Sequence, residues 1–236
     1  MSDVPHVPIV YGGILGIAVG VAVLIVALHR AARAGARAVA LFAAGVVVWM
    51  SAWAAIAGSG VLADFDARPP PVMAVMLGTL LAGVALPLSS VGRTFAGLAP
   101  AVLVLSQAYR LPLELVMHHA ATQGVMPVQL SWSGYNFDVV TGASALVLGL
   151  RGLYRPLPRA VLWAWNLYGI GALLVIVAIA IATSPVVRAF GDADINRWVA
   201  WFPYVWLPTV MVVGAMLGHG ALTRRLLREA ARTRGG

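Results

Sequence analysis

The sequence predicts an all-α membrane protein, a single bundle of seven transmembrane helices. Hydrophobic residues make up 61% of its 236 residues and charged residues only 10%, whereas about 25% of the residues in a soluble domain are charged. The mean hydropathy is +0.90. Because a spanning helix needs about 20 apolar residues, the chain holds about seven of them and no additional soluble domain. We therefore treat residues 1–236 as one polytopic domain.

The seven predicted segments are separated by connections rich in proline, glycine and charged residues, which end helices. The fifth segment is the shortest. A secretory signal peptide has basic residues before its apolar run, but no basic residue precedes the first segment. We therefore expect this segment to remain in the mature protein. The segments cover residues 9–28, 38–62, 72–91, 98–121, 138–153, 160–183 and 201–222.

The arginines predict the orientation, because cytoplasmic connections of membrane proteins carry an excess of positive charge. Alternate connections hold most of the arginines, and the others hold Arg68, Arg188 and Arg197 with most of the aspartates. We expect the N-terminus outside, the C-terminus in the cytoplasm of a bacterial cytoplasmic (inner) membrane, and residues 223–236 as a basic cytoplasmic tail. The arginines assigned to the cytoplasmic side are Arg30, Arg33, Arg37, Arg93, Arg151, Arg155, Arg159, Arg224, Arg225, Arg228, Arg232 and Arg234.

The composition also excludes several cofactors and partners. All 16 Lys+Arg residues are arginine, which excludes retinal bound to a lysine through a Schiff base. The chain has no cysteine, so disulfides and thiolate metal sites are excluded. The positive charge lies in short connections and not on a soluble face with stacking aromatic residues, so we expect the lipid bilayer as partner and no nucleic acid.

The fourth segment carries the polar residues that argue most directly for a site. Arg110, Glu114 and His118 follow each other at intervals of four residues, which places them on one helix face, and Gln107 extends that face. A charged residue at the centre of a spanning helix costs about 2.5–3.5 kcal/mol on insertion scales. We therefore expect Arg110 to face the bundle interior, with Glu114, one turn away, as its nearest partner.

Three interpretations of this face stay open. Arg110 and Glu114 form a structural ion pair, or they line a water-filled pocket open to the outside, where the planar fork of arginine binds a carboxylate or phosphate. In the third interpretation, Glu114, His118 and His119 contribute to a metal or proton site. A metal-dependent membrane enzyme would use Glu114, His118 and Asp138, with His6 as a further candidate ligand. His29 and His219 are predicted at the cytoplasmic side, a membrane thickness away.

Residues 124–138 are predicted to form an outer hairpin or lid over the bundle. Val128, Leu130 and Trp132 alternate with polar residues, and a Ser-Gly turn follows. Asn136 or Asp138 is expected to cap the fifth helix. In the functional interpretation, Asp138 and Trp132 lie over the pocket formed by Arg110, Glu114, Gln107 and His118.

Glycines at intervals of four residues predict close helix packing. The first segment contains Gly12, Gly16 and Gly20, and the last contains Gly214 and Gly218. We expect these stripes to pack within the bundle. The alternative is a homodimer that forms through the first stripe. If the chain is a structural subunit of a larger membrane complex, the stripes would contact the other subunits.

Residues 110–142 begin with Arg-Leu-Pro-Leu-Glu-Leu-Val-Met-His and end with Tyr-Asn-Phe-Asp-Val-Val-Thr-Gly. This segment resembles a group of small multi-pass bacterial membrane proteins that carry an Arg-x-Pro-x-Glu helix followed by Asn-Phe-Asp. That group has no assigned activity, so the resemblance implies no catalytic role for any residue. The sequence favours a protein that binds, senses or transports a small ligand, with an anion as one candidate, over a metal-dependent membrane enzyme.

Overall fold

The computed structural model describes residues 4–234, and all regular structure within them is helical, which confirms the all-α class. The ends of the predicted domain, residues 1–3 and 235–236, lie outside the described residues, and the second of these ranges includes the last residues of the predicted tail. The nine α-helices of the described part are α1 Pro8–Ala31, α2 Ala36–Gly58, α3 Met73–Leu88, α4 Ser90–Phe95, α5 Pro100–Leu105, α6 Arg110–Thr122, α7 Asp138–Tyr154, α8 Arg159–Ala182 and α9 Val213–Arg234.

Three of these helices, α1, α2 and α8, are long and apolar enough to cross a membrane. The helix α3 is apolar but only 16 residues long. Each of the seven segments predicted from hydropathy overlaps at least one of the nine helices. The periodic apolar runs therefore predicted where helices form, and the three longest agree with the predicted segments within four residues at each end.

The predicted fourth segment is not one helix. Residues 106–109 form a turn between α5 and α6, and the N–H of Leu111 donates to the carbonyl of Ala108 at 3.1 Å, a bond to the third residue back. Pro112 has no N–H to donate to the same carbonyl, so the tighter bond replaces the missing helical one. This break makes Arg110 the first residue of a new helix.

The last predicted segment begins as a π-helix and runs further than expected. A π-helix over Leu207–Val212 leads directly into α9. Pro208 cannot donate a helical hydrogen bond to the carbonyl of Tyr204, and widened turns of this kind occur at interruptions of the regular ladder. The helix α9 continues through Arg234, so most of the predicted basic tail is an extension of the last helix.

Two glycines let α7 lie directly against the broken fourth segment. A Cβ added at Gly149 would lie 2.6 Å from Cβ of Leu105, and one added at Gly142 would lie 2.8 Å from the carbonyl carbon of Arg110. Real Cβ atoms do not approach other atoms so closely. The start of α7 is thereby held beside the start of α6.

The glycine stripe of α1 does not pack inside the bundle. Gly12, Gly16 and Gly20 are exposed, and a Cβ added at any of them would meet no atom within 4 Å. The expected internal packing is therefore wrong for this stripe, and the homodimer stays a prediction. Internal packing is confirmed for Gly214 and Gly218, where an added Cβ would meet Val21 and Gln107, respectively.

Alanine substitution should separate the two kinds of glycine. We expect Gly142→Ala to destabilise the protein by about 1–3 kcal/mol, because an overpacked site forces the backbone apart. The matched change Gly12→Ala fills open space in a helix and should leave stability unchanged or raise it by up to about 1 kcal/mol. Thermal unfolding of both variants in detergent is the measurement, and equal stability of the two variants would contradict the assigned packing.

The segment from 124 to 138 is not a β-hairpin. It contains a 3₁₀ helix over Val128–Leu130 followed by turns. Oγ of Ser131 donates to the carbonyl of Val128 at 3.0 Å. The carbonyl of Ser131 accepts from the N–H of Gly134 at 2.9 Å. Local side-chain hydrogen bonds compete in this way with strand pairing.

Candidate functional site

An ion pair between α6 and α7 forms the centre of the buried polar cluster. Nε of Arg110 donates to Oδ2 of Asp138 at 2.6 Å, and Nη2 of Arg110 donates to Oδ1 of the same carboxylate. Only 1% of Arg110 and 6% of Asp138 is exposed. Two parallel bonds of this kind give the strongest and most specific arginine–carboxylate geometry. Arg110 thus lies in the interior, as expected, but the predicted pair with Glu114 is wrong.

The third nitrogen of the guanidinium reaches α9. Nη1 of Arg110 lies 2.9 Å from Nε2 of His219. Because a guanidinium only donates, Nε2 accepts and the ring proton is on Nδ1, which lies 2.9 Å from Oδ1 of Asn166. Nδ2 of Asn166 donates in turn to Oγ1 of Thr223 at 2.7 Å. The polar cluster therefore extends from α6 through α9 to α8.

His219 was predicted a membrane thickness away from the polar face, and this prediction is wrong. The predicted last segment ends at residue 222, which placed His219 at its cytoplasmic end, whereas α9 continues for another 12 residues. The His219 ring stacks on Trp165 of α8, with centroids 5.1 Å apart. A Cβ on Gly169 would overlap the same ring, so this glycine makes room for it.

Glu114 is held by Asn136 and not by a cation. Nδ2 of Asn136 donates to both carboxylate oxygens at 3.0 and 2.9 Å and lies 3.0 Å from the carbonyl of Leu130. Oδ1 of Asn136 accepts from the N–H of Asp138 at 3.1 Å. The N-cap of α7 is Phe137, without a side-chain cap bond, so the predicted N-cap at Asn136 or Asp138 is wrong, although Asn136 accepts from the first N–H of the helix. The 124–138 segment also covers Glu114, because Asn136 belongs to it.

The charges of the cluster do not balance. Within the described residues, Glu114 is 1% exposed and accepts hydrogen bonds only from the Asn136 amide. All three nitrogens of the Arg110 guanidinium are already engaged with Asp138 and His219. With Glu114 ionised and His219 neutral, Arg110 contributes +1 and the two carboxylates −2, so the net charge is −1. An uncompensated buried charge is costly.

A small cavity of about 30 Å³, which we call the Glu114 cavity, adjoins these charges. One water needs about 10–15 Å³ by this measure, so the cavity has room for about two. The hydroxyl of Tyr109, on its wall, donates to the π-helix carbonyl of Met211 at 2.6 Å. The polar residues that line the cavity are Tyr109, Arg110, Glu114, Asn136 and Asp138.

The remaining predicted binding residues lie apart from the cluster. His118 stacks on Trp132, with ring centroids 4.3 Å apart, and its Nδ1 lies 3.3 Å from Oγ of Ser133. Gln107 is buried, its side-chain Nε2 donates to Oγ of Ser106 at 3.4 Å, and its Oε1 has no hydrogen-bond partner among the described residues. The structure therefore brings together Arg110, Glu114 and Asp138, and separates the other three from them.

The predicted metal ligands do not converge. Among the residues that the structure describes, no three His, Asp or Glu side chains lie close enough together to hold a metal ion. Asp138 is occupied by Arg110, Glu114 by Asn136, and His118 by Ser133 and Trp132. His6 packs instead against Tyr11, with centroids 5.6 Å apart.

Sequence reasoning missed the part that His219 and Thr223 play in the cluster. The two residues are one helical turn apart, and Oγ1 of Thr223 donates to the carbonyl of His219 at 2.9 Å. A polar pair at this spacing in an otherwise apolar helix is the signal that could have identified them. Through its bond with Thr223, Asn166 also links α8 to α9.

Fold and site together define an all-α protein, with three helices capable of crossing a membrane, built around a buried arginine–aspartate–histidine cluster. The chain matches no protein-family model, no curated protein and no solved structure. The resemblance of residues 110–142 to multi-pass bacterial proteins thus stays a prediction.

Proposed function

We propose that the chain is a seven-span protein of the bacterial cytoplasmic membrane that binds a proton or another small cation at Glu114, as a transporter or a sensor. The N-terminus is outside and the C-terminus is in the cytoplasm. The distribution of arginine among alternate connections supports this topology. Three long apolar helices and the helical content of the other predicted segments support the membrane location.

The observation that carries the proposal is a second buried carboxylate, that of Glu114, beside the Arg110–Asp138 pair. Within the described residues, this carboxylate accepts hydrogen bonds only from the neutral Asn136 amide. A proton on Glu114, or a monovalent cation beside it, makes the cluster of Arg110, Glu114 and Asp138 neutral. Ionisable residues inside membrane proteins frequently belong to ion pathways and proton relays. The cavity, of about 30 Å³, accommodates water or a monatomic ion and not an organic molecule.

An anionic ligand is less well supported than the sequence suggested. The Nε and Nη2 side of the Arg110 guanidinium, where a carboxylate or phosphate would bind with two parallel hydrogen bonds, is already occupied by Asp138, and Nη1 donates to His219. An added anion would also increase the excess negative charge that Glu114 and Asp138 already produce. The geometry therefore favours a cation over the anion in the same pocket.

Glu114→Gln is the substitution that tests this proposal. Glutamine keeps the size of the side chain but cannot take up a proton, so we expect it to abolish a carboxyl signal in infrared difference spectra recorded between two pH values. Purified protein in proteoliposomes containing a pH-sensitive dye would separate the two roles. A transporter shows a proton flux that Glu114→Gln abolishes, whereas a sensor shows only the infrared change.

The chain offers a matched control in Glu229, its only other glutamate. Glu229 pairs with Arg225 at 2.6 Å near the end of α9, and its side chain is 38% exposed. Glu229→Gln should leave both the infrared band and any flux unchanged. A wild-type protein without a titrating band that depends on Glu114 contradicts the proposal.

A further inference from the structure

A second cavity, of about 50 Å³, lies beside the first, between α3, α6, α8 and the π-helix. We call it the Thr79 cavity. Most of its wall is apolar, but Thr79, Asn196 and Trp198 also line it. Asn196 and Trp198 belong to the connection between α8 and the π-helix, and all three side chains are at least 96% buried.

Each of these three residues has a buried polar atom without a hydrogen-bond partner. The atoms are Oγ1 of Thr79, Oδ1 of Asn196 and Nε1 of Trp198. Seven such side-chain atoms occur in the described part of the chain, and three of the seven belong to side chains that line this one cavity. Native proteins rarely leave buried polar atoms unsatisfied, and a bound water is the usual partner where the protein supplies none.

The three groups complement water. The indole N–H of Trp198 donates, the amide oxygen of Asn196 accepts, and the hydroxyl of Thr79 does both. At about 15 Å³ for each water, the cavity has room for roughly three molecules. An apolar guest of the same size would leave all three polar atoms unsatisfied.

The Thr79 cavity adjoins two other spaces. It shares Met117, Ile176, Leu207 and Val212 with the Glu114 cavity. At its other side, Trp198 also lines a larger pocket of about 440 Å³, which we call the entrance pocket. The charged residues that line the entrance pocket are Asp192, Asp194 and Arg197.

The Thr79 cavity is therefore the neighbour both of a pocket with charged walls and of the cavity beside the Glu114 carboxylate. We infer that the Thr79 cavity is a binding site for a short chain of water molecules, through which protons reach Glu114 from the entrance pocket. A proton that moves along this chain passes from one water to the next and finally to the Glu114 carboxylate. The role of the water chain in proton transfer rests on the proposed function, whereas its presence does not.

The absence of cysteine from the natural chain allows a direct test. A single cysteine at Thr79 is nearly isosteric with threonine and places a thiol in the cavity. Silver ion is monatomic, travels through water and blocks thiols. Protein in detergent receives a short pulse of silver, is denatured and is alkylated, and mass spectrometry counts the thiols that silver has blocked.

Val75→Cys is the matched control, because Val75 is fully buried one turn earlier on the same helix and lines none of the three spaces. We expect silver to block Thr79→Cys at least about tenfold faster than Val75→Cys, since thiol reactivity follows access from water. Met117→Cys, in the wall shared by both cavities, is a second reporter in case Thr79→Cys folds poorly. Equal protection of Thr79→Cys, Met117→Cys and Val75→Cys means a dry cavity and overturns the inference.

This test does not depend on any proton flux. If silver enters but Glu114→Gln leaves proton uptake unchanged, the proposed function fails and the hydrated cavity stands without its role. If proton uptake depends on Glu114 but silver does not reach Thr79 or Met117, the proposed function stands and this route is wrong.

Discussion

Asp138→Asn should destabilise the protein by about 3–5 kcal/mol, because removing one partner of a buried ion pair leaves the Arg110 guanidinium without the carboxylate that contacts it. Asparagine has nearly the same shape as aspartate, so the substitution isolates the charge from the packing. Both oxygens of Asp138 bind Arg110, and the pair is almost completely buried. The expected result is a large fall in the midpoint of thermal unfolding in detergent.

Asp192→Asn is the control for this change. Asp192 pairs with Arg188 at 3.0 Å, but the aspartate side chain is 79% exposed. Exposed ion pairs contribute about 0–1 kcal/mol, so we expect a change in stability within this range. If Asp138→Asn falls within the same range as Asp192→Asn, the Arg110–Asp138 pair does not stabilise the bundle as described.

Asp138→Asn also has a functional consequence. With asparagine at position 138, Arg110 and Glu114 carry +1 and −1, and the cluster is neutral without a bound proton. Proton uptake at Glu114 should therefore be lost in Asp138→Asn even where the variant still folds. The infrared band assigned with Glu114→Gln provides the measurement.

Hydropathy was sufficient to predict the three longest helices because their apolar runs are long. The predicted segments 9–28 and 160–183 correspond closely to Pro8–Ala31 and Arg159–Ala182. The end of the last helix was missed for a physical reason. The polar residues Thr223, Arg224 and Arg225 indicate where hydrophobic sequence ends, whereas α9 continues because Arg225 and Glu229 stabilise it with a pair four residues apart.

The interior position of Arg110 could also be predicted, since its desolvation requires compensation. The choice of Asp138 as its partner could not be predicted. Sequence spacing favours Glu114, one turn away on the same helix, but the contact with Asp138 depends on how closely α7 approaches. Gly142 permits that approach, and a single glycine in one sequence does not reveal which backbone it lies against.

Arg110→Lys should be destabilising although it preserves the charge. The guanidinium uses three nitrogens, two for Asp138 and one for His219. A lysine ammonium is a compact group that lacks the planar fork, so it cannot reproduce the bidentate pair and reach Nε2 of His219 together. We expect a loss of about 2–3 kcal/mol, since a buried polar atom without a partner costs about 1–3 kcal/mol.

Arg188→Lys is the matched control, because Arg188 is 45% exposed and its partner Asp192 is more exposed still. This change should cost less than about 1 kcal/mol. Because Arg110→Lys leaves the net charge of the cluster unchanged, proton uptake at Glu114 should persist in this variant, whereas Asp138→Asn should abolish it. A lysine variant as stable as the wild type would show that charge alone, without the arginine fork, holds α6, α7 and α9 together.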